Sequence, residues 1–486
     1  MDRSFLAQCE QEQLHLSGAI QDHGTLLAID AAGLVSHVAA NVEDFLGHPP
    51  ASLLGQPPPA QLACHLQDMP QAPGSRRFIC SGVEGVAGVL DLSVNRGGNG
   101  ELLLELTPES QVPLPPPEAP PGIPDAFSDE EMLERARQQL LEDTGALTGA
   151  QRVLYYAFYE QGDGEVISEF RQGNGFGSYL GLRFPASDIP QIARSLYLKN
   201  PWRLIPDARR EPVPLLGTGP TPPDLTWSDL RSVSPVHRTY LANMGVVGSL
   251  SFPVVIAGSL SALVTAHHSR PLAVAHSLIE HLAERVRHFT FSLAAFRAQR
   301  RMCLIDNLVR RFEGLREVLQ RHGDLASAWP ELAPVLLQEF RVDGATLCLD
   351  ETVISVGHSF EAAAFEVFDE WFCQRQEDLV WVGDNLSLQV PGYPLSEIAG
   401  ALALRLQSSR GRALRLYLTR CEHIHEVAWG GNPDKPVEFH DGVLGIMPRR
   451  SFEKWVEKRL GYSRPWDNEA RLLGLKLREL LQPGRA

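Results

Sequence analysis

Between Leu272 and His322 the chain contains no proline and one glycine, Gly314. Apolar residues fall at Ile279, Leu282, Val286, Phe289, Leu293 and Phe296, in alternating steps of three and four. The stepping resumes at Ile305, Leu308, Phe312, Leu315 and Leu319, after the basic break RAQRR. A helix of this length extends roughly 75 Å at about 1.5 Å per residue. Its heptad-like pattern reads as a spine that links two domains and carries a dimer seam. Two ordinary amphipathic helices joined near Arg300 also satisfy the pattern.

The 486 residues of the chain suit about three domains at about 150 residues each. A net charge of −15 argues against a nucleic-acid binder or a membrane-surface protein, both of which need basic patches. No apolar run approaches the length of a spanning helix, and MDRSFLAQCEQEQ is too polar for a signal peptide. The seven cysteines (9, 64, 80, 303, 348, 373, 421) form no CxxC pair. That pattern speaks against a disulfide framework or zinc site and for a reducing cytoplasm.

Residues 14–106 alternate short apolar runs with turn signals, as in a small α+β sensor fold. Val112 to Pro124, VPLPPPEAPPGIP, is too proline-rich for helix or central strand and marks a linker. Ser128 and Glu131 make a capping-box pattern that opens the helix of a second domain. Its strands are VLYYAFY, GEVISEF, SLSFPVVI and LSALVTAHH. A third α+β unit follows, and a last helix runs from Asn468 to Leu481.

The chemistry concentrates in FPASDIPQIARSLYLKNPWR (Phe184 to Arg203) and RSVSPVHRTYLANMGV (Arg231 to Val246). Asp188 stands before Ile189-Pro190 at a helix start, where it could act as a simple cap. Arg203 and Arg231 can fork onto carboxylates in a geometry lysine cannot reproduce. With His237 they supply what a flat, multi-N–H dicarboxylate pigment needs, since a buried donor without an acceptor costs about 1–3 kcal/mol.

In these motifs the chain resembles the bacterial phytochromes, red-light receptors that carry biliverdin. The resemblance implies an α+β fold of three tandem sensor domains, each an antiparallel sheet with flanking helices. They are PAS over 14–111, GAF over 126–298 and PHY over 299–486, with a linker at 112–125 and an N-terminal segment, 1–13. It implies that the Asp188 carbonyl and His237 face the inner ring nitrogens. Arg203, Arg231, Ser234, Ser249 and Ser251 face the propionates, and His267 of VTAHHSRP faces the D-ring carbonyl. Tyr156, Phe184, Tyr197 and Tyr240 surround the D ring, with Tyr179 where the family usually has phenylalanine. Cys9 would carry biliverdin IXα through a thioether. The IPGxIQPHG-like run that follows it in the family reads LSGAIQDHG here, with Ser17 and Asp22 in place of both prolines. Val236 stands where phytochromes that attach reduced bilins have a cysteine. The family also threads its N-terminal segment through a loop of the second domain.

Trp429 to Trp455 reads as a long hairpin. Its Pro448-Arg449-Arg450-Ser451-Phe452 matches the PRxSF motif of the phytochrome tongue, here about 427–455. The resemblance implies that Arg449 and Ser451 exchange as partners of Asp188. The expected function is a photochemical switch, with no enzyme activity within this chain. Light isomerises the bilin at C15=C16, the D ring turns, the tongue refolds, and the spine helix carries the change to an output domain or response regulator. The expected assembly is a homodimer through the spine, without nucleic acid or membrane. A ligand-sensing GAF or PAS protein, or an enzyme, is the rival class, but no P-loop, HExxH or GxSxG is present. HIHE (His423 to Glu426) lacks further metal ligands and reads as structural.

Overall fold

The computed structural model describes residues 13–109, 122–159, 162–173, 175–350, 352–375, 379–407, 413–433, 437–440, 443–446 and 451–481. Cys9, Arg449 and most of the proline-rich linker lie outside them. The chain divides into two compact units, 1–296 with 428–455, and 297–427 with 456–486.

The first unit holds two large sheets. One has seven strands in the order Ala19–Ile20, Val213–Gly217, Val35–Ala39, Thr25–Ile29, Leu102–Pro108, Gly88–Arg96 and Arg76–Gly85. The strand from 213 to 217 comes from far along the sequence. The 15–21 segment is bonded to that loop on both sides. Leu215 N–H donates to Gly18 O and Leu225 N–H to His15 O, while Gln21 N–H donates to Leu230 O. Gly24, from the IQDHG run, permits a close approach. A Cβ there would stand 2.7 Å from Leu106 O and 2.9 Å from a Leu230 methyl.

The other sheet is built on Arg203–Ile205, Gly248–Ile256, Ser259–His268, Arg152–Phe158, Gly164–Arg171 and Arg183–Phe184. Strand alternation divides its side chains between two environments. Val153, Tyr155, Leu250, Phe252, Val264 and Ala266 form a core with helix Glu130–Thr148 and the start of the long helix. Leu154, Tyr156 and Leu263 join the opposite, aromatic face. Trp429 extends the sheet by pairing in parallel with Arg183.

Two local expectations need correction. The cap of helix Glu130–Thr148 is Asp129, whose Oδ1 accepts Met132 N–H at 2.8 Å. Ser128 instead donates to Asp129 Oδ2 at 2.6 Å, so a carboxylate caps the helix and the serine orients it. The long helix runs unbroken from His276 to His322, but the first half of its apolar stripe is no seam. Ile279, Leu282, Val286, Phe289, Leu293 and Phe296 are buried in the core just described, because a helix flanking a sheet needs that stripe for the sheet.

The second unit carries a five-stranded sheet in the order Thr352–Gly357, Gly344–Leu349, Ala413–Cys421, Ile398–Gln407 and Val380–Gly383. Helices Leu325–Phe340 and Asn468–Leu481 pack with Phe312 and Leu315 in one core cluster. Helix Ala362–Gln374 supplies Ala364, Phe368 and Phe372 to another. Among the described residues no helix is long and apolar enough to cross a membrane.

Candidate functional site

Register carries the polar side chains of the second sheet to one place. Ser249 lies opposite His267 and Ser251 opposite Thr265. Arg203 lies opposite Ser251 on one side, and Arg152 opposite His267 on the other. Cross-strand partners and i, i+2 neighbours share a face, so these six residues belong to one surface. All but Arg152 line a cavity of 1020 Å³, at the top of the usual range for small-molecule sites.

The cavity holds an unbalanced pair of cations. Arg231 is 8% exposed and donates to Leu225 O at 3.1 Å and Thr226 O at 3.3 Å. Arg203 donates to Asp229 O at 3.1 Å, to Ser232 O at 3.2 Å and to Arg231 O. Among the described residues neither guanidinium forms an ion pair with a carboxylate. Burial, and then the charge of Arg203, push Arg231 down to about 9. Arg203 is lowered as well, chiefly by burial. Two like charges, Arg231 buried and Arg203 half-buried, facing an open space make a site for a dianion.

The imidazoles in the cavity are neutral. His237 is open to the cavity yet enclosed by protein mass, which with Arg203 pushes it down to about 4. His267, 5% exposed, is lowered further by burial, Arg152 and His237.

Aromatic rings close the other end. Tyr156 and Phe184 lie 5.9 Å apart, and Tyr179 and Phe184 5.7 Å apart. Tyr240 stacks on His237 at 6.2 Å and donates its hydroxyl to Asp188 Oδ2 at 3.1 Å. Gly164 makes room for the Tyr156 ring, where any Cβ would collide with it. Phe452 enters this cluster from the 428–455 excursion, 6.0 Å from Tyr179 and 5.1 Å from Tyr240.

Of the residues singled out in the sequence, Asp188, His237, His267, Arg203, Arg231, Ser234, Ser249, Ser251, Tyr156, Tyr179, Phe184, Tyr197 and Tyr240 all line the one cavity. Cys9 and Arg449 lie outside the described residues. Ser451 is exposed, and its hydroxyl accepts Glu453 N–H at 3.3 Å. Sequence reasoning missed Arg152, Thr265 and a buried support under the arginines. There Glu105, 2% exposed, accepts from Ser228 Oγ, from Asp229 N–H and Leu230 N–H at 3.2 Å each, and from Asn95 Nδ2 at 3.1 Å. Burial and the Asp229 charge push Glu105 up to about 7 against those donors. An isolated Glu in the run ELLLELT gave one usable signal, a charge on an otherwise apolar strand.

A sheet with one face on helices and the other on a large, cationic, aromatic-walled cavity belongs to the ligand-binding sensor domains. Comparison with known proteins narrows that class. The family model "Phytochrome region" matches residues 310–483, and the model "PAS fold" matches residues 9–72. The chain is 30% identical to cyanobacterial phytochrome B of Nostoc sp., covering 98% of this chain and 66% of that protein. It is 31% identical to a bacteriophytochrome of Pseudomonas aeruginosa, covering 97% and 66%. The photosensory core module of Stigmatella aurantiaca phytochrome superposes with a TM-score of 0.80 at 28% identity, over 97% of each chain. A bacteriophytochrome of R. palustris gives 0.77 at 28% identity, over 98% of each chain. The chain belongs to the phytochrome family of light photoreceptors, as a PAS-GAF-PHY photosensory core of the bacteriophytochrome kind. It spans about two thirds of the length of these curated relatives, 66% of each.

Proposed function

We propose that this chain is a red/far-red photoreceptor module that carries biliverdin IXα, attached through Cys9, in the cavity of its second sheet. In this reading PAS occupies 14–111, GAF 126–298 and PHY 299–486. The observation that carries it is the pair Arg231, buried, and Arg203, half-buried, which stand beside 1020 Å³ of space and among the described residues form no ion pair with a carboxylate. The two propionates of a bilin match that pair in charge and number. Ser234, Ser249 and Ser251 offer hydroxyls to the same end.

When bound, the bilin supplies a light-driven isomerisation about C15=C16, with rotation of the D ring. The residues do the rest. His237 is neutral, so it offers a lone pair and one N–H rather than a cation, and the Asp188 carbonyl provides an acceptor. His267 stands at the end where the D ring would lie, and Tyr156, Tyr179, Phe184, Tyr197 and Tyr240 limit the space there. Asp188 is the element that switches, its carboxylate taking Arg449 in one state and Ser451 in the other. Tyr240 already holds one of its oxygens. The helix His276–His322 would carry the change onward.

A cytoplasmic homodimer that signals to an output domain or a response regulator completes the reading. Phe291, Met302 and Ile305, exposed on that helix by 68%, 67% and 45%, supply apolar surface for self-association. The test is attachment: the chain made with biliverdin should keep its pigment through denaturation, and Cys9→Ser should bind pigment but release it. Denaturation-resistant colour in Cys9→Ser would place the attachment elsewhere.

A further inference from the structure

Arg152 sits behind His267, outside the cavity lining, and is fully buried. Its guanidinium lies over the Tyr179 ring at 4.0 Å and the Phe176 ring at 4.5 Å, and donates to Gly177 O at 3.3 Å. Its other terminal nitrogen is 3.2 Å from His267 Nδ1. A guanidinium can only donate and stays protonated in proteins. Nδ1 must therefore be the accepting nitrogen, and the ring proton must be on Nε2.

Nε2 stands 3.2 Å from Thr265 Oγ1, and Thr265 Oγ1 stands 2.9 Å from Ser251 Oγ. The donor at Arg152 thereby sets the sense of the next link: the His267 Nε2–H donates to Thr265 Oγ1.

We propose that Arg152 is a positioning residue that fixes His267 as its Nε2–H tautomer and aims that N–H at Thr265 along the cavity floor. Nε2–H is then the one donor His267 can offer, shared between Thr265 and a carbonyl acceptor of a ligand in the cavity. Only that last consequence rests on the function proposed above. The tautomer belongs to the protein with or without pigment.

The test is ¹⁵N–¹H correlation spectroscopy of the full chain labelled at histidine, with the His267 ring assigned by its loss in His267→Gln. The wild type should show a single neutral tautomer protonated on Nε2. Arg152→Met should mix the tautomers or move the proton to Nδ1, whereas Arg152→Lys, still a pure donor, should restore Nε2–H. Thr265→Val should leave the tautomer unchanged. A wild-type ring protonated on Nδ1 or on both nitrogens overturns the proposal, and needs no variant to fold. So does a pure Nε2–H ring in Arg152→Met, or a tautomer lost in Thr265→Val.

Discussion

The ring of Phe452 meets the ring of Tyr240 edge-on, with centroids 5.1 Å apart and planes at 88°. Tyr240 is also the residue that hydrogen bonds the Asp188 carboxylate. One tyrosine thus contacts both the proposed switch residue and Phe452 of the 428–455 excursion.

Phe452→Ala removes a ring that is 9% exposed and packed on two tyrosines. Truncating a buried phenylalanine costs about 3–5 kcal/mol when the site cannot collapse. The loss should be local to the excursion. Hydrogen exchange of residues 428–455 should accelerate well beyond that of the strands Gly248–Ile256 and Ser259–His268. Equal acceleration throughout the sheet would mean that Phe452 supports the domain rather than its closure.

Arg203→Gln should weaken biliverdin binding by about 10- to 100-fold, the loss expected for hydrogen bonds to a charged group. The dimethyl ester of biliverdin, which has no carboxylate charge, should bind the variant and the wild type almost equally. Titration of pigment fluorescence quenching checks both values. If the ester suffers the same loss as the diacid, the arginine shapes the cavity without reading charge.

Stability without pigment should fall in acid. His237 and His23 both lie near 4 in the folded chain, against an ordinary 6.5, in each case through burial first and then the Arg203 charge. Between those values the unfolded chain binds more protons than the folded one, so stability rises with pH in this window. It should therefore be lost as pH falls from about 6.5 to about 4. Urea midpoints at a series of pH values measure the slope. His237→Gln should flatten it.

Glu105→Ala should strip three donors of the 228–230 segment of their acceptor and free the backbone that presents Arg231. Orphaned buried donors cost about 1–3 kcal/mol each. The variant should lose pigment affinity although Glu105 lies outside the cavity lining. Equilibrium binding with parallel urea melts separates that loss from simple unfolding. Unchanged affinity in a folded variant would show that the segment holds itself.

Much of the site could be read from sequence because its residues come in dense local runs. PASDIP and SPVHRTY each deliver several cavity residues from one helix start, and period-two alternation delivers Ser249 with Ser251. Arg152 was illegible, since its meaning comes from a partner 115 residues away across a strand pair. Thr265 is an ordinary strand residue until the register puts it beside Ser251. The long helix misled in the opposite way: the same three-four stepping serves a coiled coil or a helix on a sheet. Only the neighbours of Phe289, which include Phe127 and Tyr155, tell them apart.

The most direct test of the account is an absorption spectrum of the chain assembled with biliverdin, taken in the dark, after red light and after far-red light. The account predicts a bound red band that moves to longer wavelength under one illumination and returns under the other. A bound band that ignores light would leave the cavity assignment standing and contradict the switch. A colourless protein would contradict both.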